Sequence, residues 1–179
     1  SMRVITGRFK GANLLSVPGR STRPTTSFHR EVMFSMYQDF EGKRVLDLYA
    51  GTGGLGLEAL SRGAVWVDFV EFASVAIAVL LQNIQKLRCA SECHIHRRKV
   101  EAFLKVFDTP YDLIFMDPPY DKDLVNPTLR QIFERGVLNP GGVVIVEHSG
   151  REAIAPEFGP YLLRSKPGKI TSLSLLQRP

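Results

Sequence analysis

Val45-Leu46-Asp47-Leu48-Tyr49-Ala50-Gly51-Thr52-Gly53-Gly54-Leu55-Gly56 is the stretch that decides the fold. Residues 45–49 are a short apolar run that reads as a buried strand, and residues 55–62 read as a helix closed by Gly63. Between them, glycines at 51, 53 and 56 permit a tight turn and a close approach of backbone to ligand. The helix start behind them supplies free N–H groups. Downstream, the next strand (67–71) ends on Glu71, 20 residues after Gly51. A carboxylate there is placed to accept hydrogen bonds from both hydroxyls of a ribose. A Gly-x-Gly-x-x-Gly run alone is weak evidence. With a strand before it, a helix after it and an acid at the next strand end, it reads as a nucleoside-binding loop.

Farther out the alternation continues. Ile77, Leu80, Leu81, Ile84 and Leu87 mark an amphipathic helix, and a polar, basic strand (93–97) and a short helix (101–106) follow. An apolar strand (113–116) runs into Asp117-Pro118-Pro119-Tyr120. The following helix is framed by Asn126 as cap, Pro127 at its first position and Gly136 past its end. Asn139-Pro140-Gly141-Gly142 reads as a turn into a strand over 143–147. Residues 161–164 and 170–176 flank Pro167-Gly168 with no helix between, predicting a hairpin whose last strand is antiparallel. Upstream, 3–9 and 13–17 form a small hairpin around Lys10-Gly11. Residues 20–26 are a loop. Val32, Met33, Met36, Tyr37 and Phe40 recur at helical spacing, with Thr26 or Ser27 as cap. Parallel strands need crossover connections, so the body is an α/β sheet covered on both faces. Ligands of such sheets sit beyond the strands' carboxyl ends, where 47–56, 70–72 and 117–120 all lie.

The 179 residues are enough for one hydrophobic core. A composition 44% hydrophobic and 23% charged excludes a disordered tail. No run reaches the roughly 18–20 apolar residues of a membrane span, and the richest, 64–81, is broken by Asp68 and Glu71. Ser1 ahead of Met2 reads as an expression scar, and no secretion signal is visible. Cys89 and Cys93 are too few for a disulfide framework. The expectation is a monomeric protein of the reducing cytoplasm, with no membrane and no metal. Cys89, Cys93, His94 and His96 match no common zinc spacing and read as an ordinary strand edge. The net charge of +5 is local: residues 1–30 hold six basic residues and no acid, leaving 17 basic against 18 acidic beyond. A basic arm (1–40) on a near-neutral body (41–179) suits a polyanion such as a nucleic acid.

The glycine loop serves two cofactor classes. A pyrophosphate would be repelled by Asp47, four residues before Gly51, whereas S-adenosylmethionine carries an ammonium that a carboxylate attracts. No Gly-Lys-Ser or Gly-Lys-Thr follows the glycines, which argues against an NTP-hydrolysing loop. Asp117-Pro118-Pro119-Tyr120 supplies the chemistry. The amine on a nucleobase is a poor nucleophile because its lone pair is delocalised into the ring. The Asp117 carboxylate and Pro118 carbonyl can hold its N–H bonds and turn the lone pair toward an electrophile. Consecutive prolines fix the backbone, and Tyr120 can stack on the base.

Residues 45–56, 68–71 and 114–120 resemble the class I, S-adenosylmethionine-dependent methyltransferases. More narrowly, Arg3-Val4-Ile5-Thr6-Gly7, Thr22-Arg23-Pro24-Thr25, Arg30-Glu31, residues 46–53, residues 56–64, Gly141-Gly142 and Glu147-His148 are similar to the RsmD family. The resemblance implies a Rossmann-like, seven-stranded sheet, mostly parallel with an antiparallel C-terminal strand, and a small N-terminal hairpin-and-helix extension that binds RNA. It implies methyl transfer to N2 of one guanine in bacterial small-subunit (16S) ribosomal RNA, free or in the assembling 30S subunit. The cofactor would be held by Asp47, Tyr49, Ala50, Gly51, Thr52, Gly53, Glu71, Phe72 and Val100, and the chemistry by Asp117, Pro118, Pro119 and Tyr120. Arg3, Arg8, Lys10, Arg20, Thr22, Arg23, Thr25 and Arg30 would contact RNA. Lys99 stands where the family carries an acid for the adenine amine, so the Val100 backbone or Glu101 takes that role. Alternatives are an adenine-N6 or protein-glutamine methyltransferase of the same fold, a nicotinamide-dependent oxidoreductase, or a non-catalytic RNA-binding assembly factor.

Overall fold

A computed structural model of the chain describes residues 2–18 and 26–179. Arg20, Thr22, Arg23 and Thr25, expected to contact RNA, lie outside the described residues. The arm opens with a two-stranded hairpin, β1 (Met2–Arg3) and β2 (Asn13–Leu14), followed by α1 (Thr26–Met36). The body runs β3 (Arg44–Leu48), α2 (Gly54–Ser61), β4 (Trp66–Glu71), α3 (Ser74–Leu87), β5 (Cys93–Arg97), α4 (Val100–Val106) and β6 (Tyr111–Met116). It ends with α5 (Val125–Arg135), β7 (Leu138–Ser149), β8 (Leu162–Lys166) and β9 (Thr171–Gln177). The seven-stranded sheet has the order β5-β4-β3-β6-β7-β9-β8. Its first five strands are parallel, and β9 is antiparallel to both neighbours.

Period-two alternation builds two cores from one sheet. Val45, Phe69, Leu113, Phe115 and Ile145 pack with α1, α2 and α3 on one face, and the arm's Val4 and Leu14 are buried in that same cluster. Leu46, Leu48, Val70, Ile114, Met116 and Val146 pack with α4 and α5 on the other. Gly56 is where α2 meets the sheet, since a Cβ there would stand 2.4 Å from the Phe69 ring. No described helix is long and apolar enough to cross a membrane.

Three sequence expectations shift. α1 includes Thr26 and Ser27, so neither is its cap, and it ends at Met36, so Tyr37 and Phe40 pack from the segment that follows. α5 starts at Val125, two residues early. Asn126 is not its cap, because its amide bonds the carbonyl of Ala153 and the N–H of Ala155 instead. Residues 139–142 form an irregularity inside β7, because Arg178 and Gly141–Gly142 exchange backbone hydrogen bonds that keep the segment in the sheet.

A buried polar cluster crosses the sheet near its middle. Asp68 of β4 receives the Tyr111 hydroxyl at 2.6 Å and lies 2.9 Å from Nε2 of His96. Burial alone would raise the Asp68 carboxyl, but hydrogen bonds from His96, Tyr111 and Trp66 outweigh it and hold the group below the ordinary carboxylate range. A depressed folded value stabilises fully above the unfolded value of about 4, and that stability is lost as pH falls through the folded value. Urea midpoints of the wild type and Asp68→Asn are therefore expected to differ at neutral pH and to converge as pH falls below about 4. A gap independent of pH would show that the carboxylate's charge contributes nothing.

Candidate functional site

Three carboxylates gather at the carboxyl ends of adjacent strands. Asp47 is the fourth residue of β3, Glu71 ends β4, and Asp117 follows β6. Asp47 is 1% exposed, and its Oδ2 accepts the Gly56 N–H at 2.9 Å. Its Oδ1 accepts no hydrogen bond among the described residues. Burial pushes its carboxyl well up, and the charges of Asp117 and Glu71 push the same way against the pull of the Gly56 N–H. Glu71 braces the glycine loop from the next strand: Oε1 accepts Gly51 N–H at 2.7 Å, and Oε2 accepts Phe72 and Ala73 N–H at 2.9 and 2.8 Å. Gly51 is left-handed at φ 59°, and nothing lies within 4 Å of where its Cβ would stand. Backbone there faces open space.

Beside this loop is a cavity of about 680 Å³, lined in part by Tyr49, Glu71, Phe72, Val100, Leu124 and Thr128. It thus brings together Tyr49, Glu71, Phe72 and Val100 of the expected cofactor residues. Phe72 is 57% exposed at its edge, with the Lys99 ammonium 5.5 Å from the ring centroid. Val100 is the first residue of α4 and Lys99 the residue before it. Tyr49 is left-handed at φ 58°, a conformation that costs a non-glycine residue about 1 kcal/mol or more. Its hydroxyl lies 2.7 Å from Thr128 Oγ1, which anchors it to α5.

None of Asp117, Pro118, Pro119 and Tyr120 lines this cavity. Met116 pairs with Leu48, so Asp117 leaves the sheet beside Tyr49. Pro118 is buried and Pro119 exposed, while Asp117 and Tyr120 are half-buried. The Tyr120 hydroxyl donates to Glu147 Oε1 at 3.2 Å and also meets Thr171 Oγ1. Asp121 N–H is held by Glu152, and left-handed backbone at Asp121 and Asp123 turns the chain toward α5. His148 is buried between the Glu152 carbonyl, 2.6 Å from Nδ1, and Ser174 Oγ, 3.0 Å from Nε2. Burial lowers its imidazole pKa, so it orders the 149–152 loop as a neutral ring.

Sequence reasoning gave no role to Asn83, Thr128, Glu147 and Thr171. Fully buried Asn83 bonds both backbone groups of Leu15 and the Thr52 carbonyl, tying the arm to the glycine loop. The signal was available: Asn83 and Thr128 are polar positions on apolar helix faces, and Glu147 follows an otherwise apolar run in β7. Of the arm's basic residues, Arg3 and Lys10 are exposed, and Arg8 is paired with Glu92. Arg30 departs from expectation. It is 6% exposed and turned inward on Glu58 and the Arg3 carbonyl, so it fastens the arm to the body and cannot reach an outside phosphate. Cys89 and Cys93 donate to the Ile84 and Cys89 carbonyls. Among the described residues no cluster of three or more His, Cys, Asp or Glu has metal-holding geometry.

YlbH of Bacillus subtilis (strain 168) is 40% identical over 160 residues, 87% of this chain and 86% of its own length. Ribosomal RNA small subunit methyltransferase D of Haemophilus influenzae is 31% identical over 98% of this chain and 93% of its own. The solved structure of yhhF from Escherichia coli superposes with a TM-score of 0.87 at 30% identity, covering 99% of this chain and 97% of that one. A family model described as conserved hypothetical protein 95 matches residues 2–172. With nearly its whole length inside that match, the chain belongs to this family, the RsmD family that its sequence resembles.

Proposed function

We infer that this chain transfers the methyl group of S-adenosylmethionine to the exocyclic N2 amine of a guanine in bacterial small-subunit (16S) ribosomal RNA. The observation that carries the reading is the strand-end Asp117-Pro118-Pro119-Tyr120 beside the Gly51 loop, in a chain similar over 98% of its length to a ribosomal RNA small subunit methyltransferase D. The residues fit the cofactor. Three mutually repelling carboxylates favour a ligand bearing positive charge and disfavour a pyrophosphate. Asp47 Oδ1 keeps an acceptor in reserve, and open space in front of Gly51 admits close approach. Asp47, Ala50, Gly51, Thr52, Gly53 and Glu71 would hold the methionine and ribose portions, with Tyr49, Phe72 and Val100 around the base. Glu101 also lines the cavity.

Bound there, the cofactor supplies an electrophilic methyl on a sulfonium. The chain supplies the geometry. Asp117 and the Pro118 carbonyl accept the two N–H bonds of the amine, and rotating it out of conjugation frees its lone pair. The Pro118–Pro119 backbone keeps the carbonyl from moving. Tyr120 presents a ring against the base, its tilt fixed through its hydroxyl by Glu147 and Thr171. The target base has to be unpaired or extruded, because N2 lies in a pairing edge inside a helix. The arm (1–40) then serves as an RNA-binding extension of the methyltransferase domain (41–179), with Arg3, Arg8 and Lys10 on phosphates and Arg20, Thr22, Arg23 and Thr25 assigned the same role. The protein would act as a cytoplasmic monomer on the RNA or the assembling 30S subunit.

The test incubates small ribosomal subunits lacking base methylation with the protein and methyl-labelled S-adenosylmethionine, then digests the RNA to nucleosides. Label in N2-methylguanosine is expected. Label in N6-methyladenosine would keep the chemistry and discard the guanine assignment. No label in a chain that binds no cofactor would favour the non-catalytic reading.

A further inference from the structure

The chain has a second basic pole. Positions 158–179 carry Arg164, Lys166, Lys169 and Arg178 and no acid, whereas positions 31–157 hold 13 basic and 18 acidic residues. Arg178 is committed at the amino end of the sheet, where it donates to the Leu138 carbonyl. The other three lie on β8 and the turn after it, and none pairs with a carboxylate among the described residues.

Topology carries that turn to the catalytic rim. β9 is antiparallel to β7 with Thr171 opposite Ser149, so residues 167–170 lie at the carboxyl end of β7. Asp117 leaves β6 at the same rim, two strands from β9, or about 10 Å at ordinary strand spacing. Thr171 touches Tyr120 directly. The turn is held in place: Gly150 N–H donates to the Ile170 carbonyl at 3.0 Å, and Gly168 N–H to Ser172 Oγ at 3.1 Å. Ile170 is 72% exposed, more than any other large apolar side chain among the described residues.

Lysines on an edge strand also deter edge-to-edge pairing, which would account for Lys166. It does not account for Lys169 and Ile170, which lie past the strand in a turn with no ladder to protect. We propose that the β8–β9 hairpin is a second RNA-contact element, with Lys166 and Lys169 on phosphates and Ile170 against a base or sugar unstacked beside the target nucleotide. The proposal rests on the substrate being RNA. Basic arm and basic hairpin then stand at the two ends of the sequence, and the less basic stretch between them holds the glycine loop and the catalytic peptide. Apolar wedges of this kind help keep a nucleotide out of its stack.

The test measures binding of unmethylated 16S ribosomal RNA, free and in assembled small subunits, against salt for the full chain, Lys166→Ala/Lys169→Ala and Ile170→Ser, with S-adenosylhomocysteine binding as the folding control. The double variant is expected to make the slope of log affinity against log salt shallower by about 1.4 to 1.8. Ile170→Ser is expected to weaken binding severalfold without changing the slope, because no charge is lost. Wild-type slope and affinity in both variants would overturn the hairpin alone. A wild-type chain that binds no RNA would overturn the hairpin together with the function it rests on. Weaker binding only to assembled subunits, with naked RNA unaffected, would assign the surface to a ribosomal protein and overturn the RNA contact.

Discussion

Asp117→Ala is expected to lower turnover about a thousandfold, the upper end of what removing one preorganised polar group costs, while S-adenosylhomocysteine binds within severalfold of wild type. The asymmetry follows from position. Asp117 leaves β6 beside Tyr49 but does not line the cavity there, whereas Glu71 of β4 accepts the Gly51 N–H of the loop. In the proposed mechanism Asp117 contributes only where the amine must give up its conjugation. Losing it removes one of two acceptors and leaves the loop intact. Single-turnover measurement with saturating RNA and cofactor reads this directly. Asp117→Asn retains one acceptor oxygen and should fall between the two. An alanine variant that loses cofactor binding but keeps normal residual turnover would show that the chemistry lies elsewhere. Removing the Asp117 charge also relieves part of the repulsion that helps hold the Asp47 carboxyl up, so Asp47 stays ionised to lower pH, and cofactor binding in Asp117→Ala is expected to persist to lower pH than in the wild type.

Much of this site was legible in the sequence because its determinants are local. Strand, glycine turn and helix lie within 45–62, and Asp-Pro-Pro-Tyr is continuous. Topology was legible for the same reason: apolar runs of strand length alternate with helical spacings, and the interruption of that alternation at Pro167-Gly168 gave the antiparallel ending. What was not legible depends on partners far away in the chain. Asn126 looks like a helix cap until the 153–155 segment takes its amide. Arg30 looks like a phosphate contact until Glu58, 28 residues on, proves to be beneath it. The Tyr120 hydroxyl finds its partners 27 and 51 residues away, and no local spacing announces such a meeting. Charge bookkeeping had the same blind spot: six basic residues before position 31 formed one arm on paper, yet the fold turns one of them inward.

Glu58→Ala is the substitution expected to cost most stability, about 3–5 kcal/mol, because it strands buried charge. Glu58 is fully buried on α2. Its Oε1 accepts Ile5 N–H at 2.8 Å and Arg30 Nη1 at 3.2 Å, and its Oε2 accepts Thr6 N–H at 3.2 Å and Arg62 Nε at 3.0 Å. Burial already lowers the pKa of the Arg30 guanidinium, with Glu58 the main opposing influence. Without the carboxylate, Arg30 keeps only the Arg3 carbonyl among the described residues, and two backbone donors of the arm lose their acceptor. Arg62 is less affected, since it is partly exposed and lies over the Phe34 ring at 4.5 Å. Removing both charges should hurt less than removing one, so Arg30→Met with Glu58→Leu is expected to recover part of the loss. Urea denaturation of the wild type, Arg30→Met, Glu58→Leu and the double variant gives the coupling. A loss below about 1 kcal/mol in Glu58→Ala, typical of an exposed pair, would mean that the arm is not fastened through this carboxylate. The consequence for function follows from the same bonds. A loosened arm should weaken RNA binding while leaving S-adenosylhomocysteine affinity nearly unchanged, because the glycine loop keeps its own brace from Glu71 and its tie to Asn83.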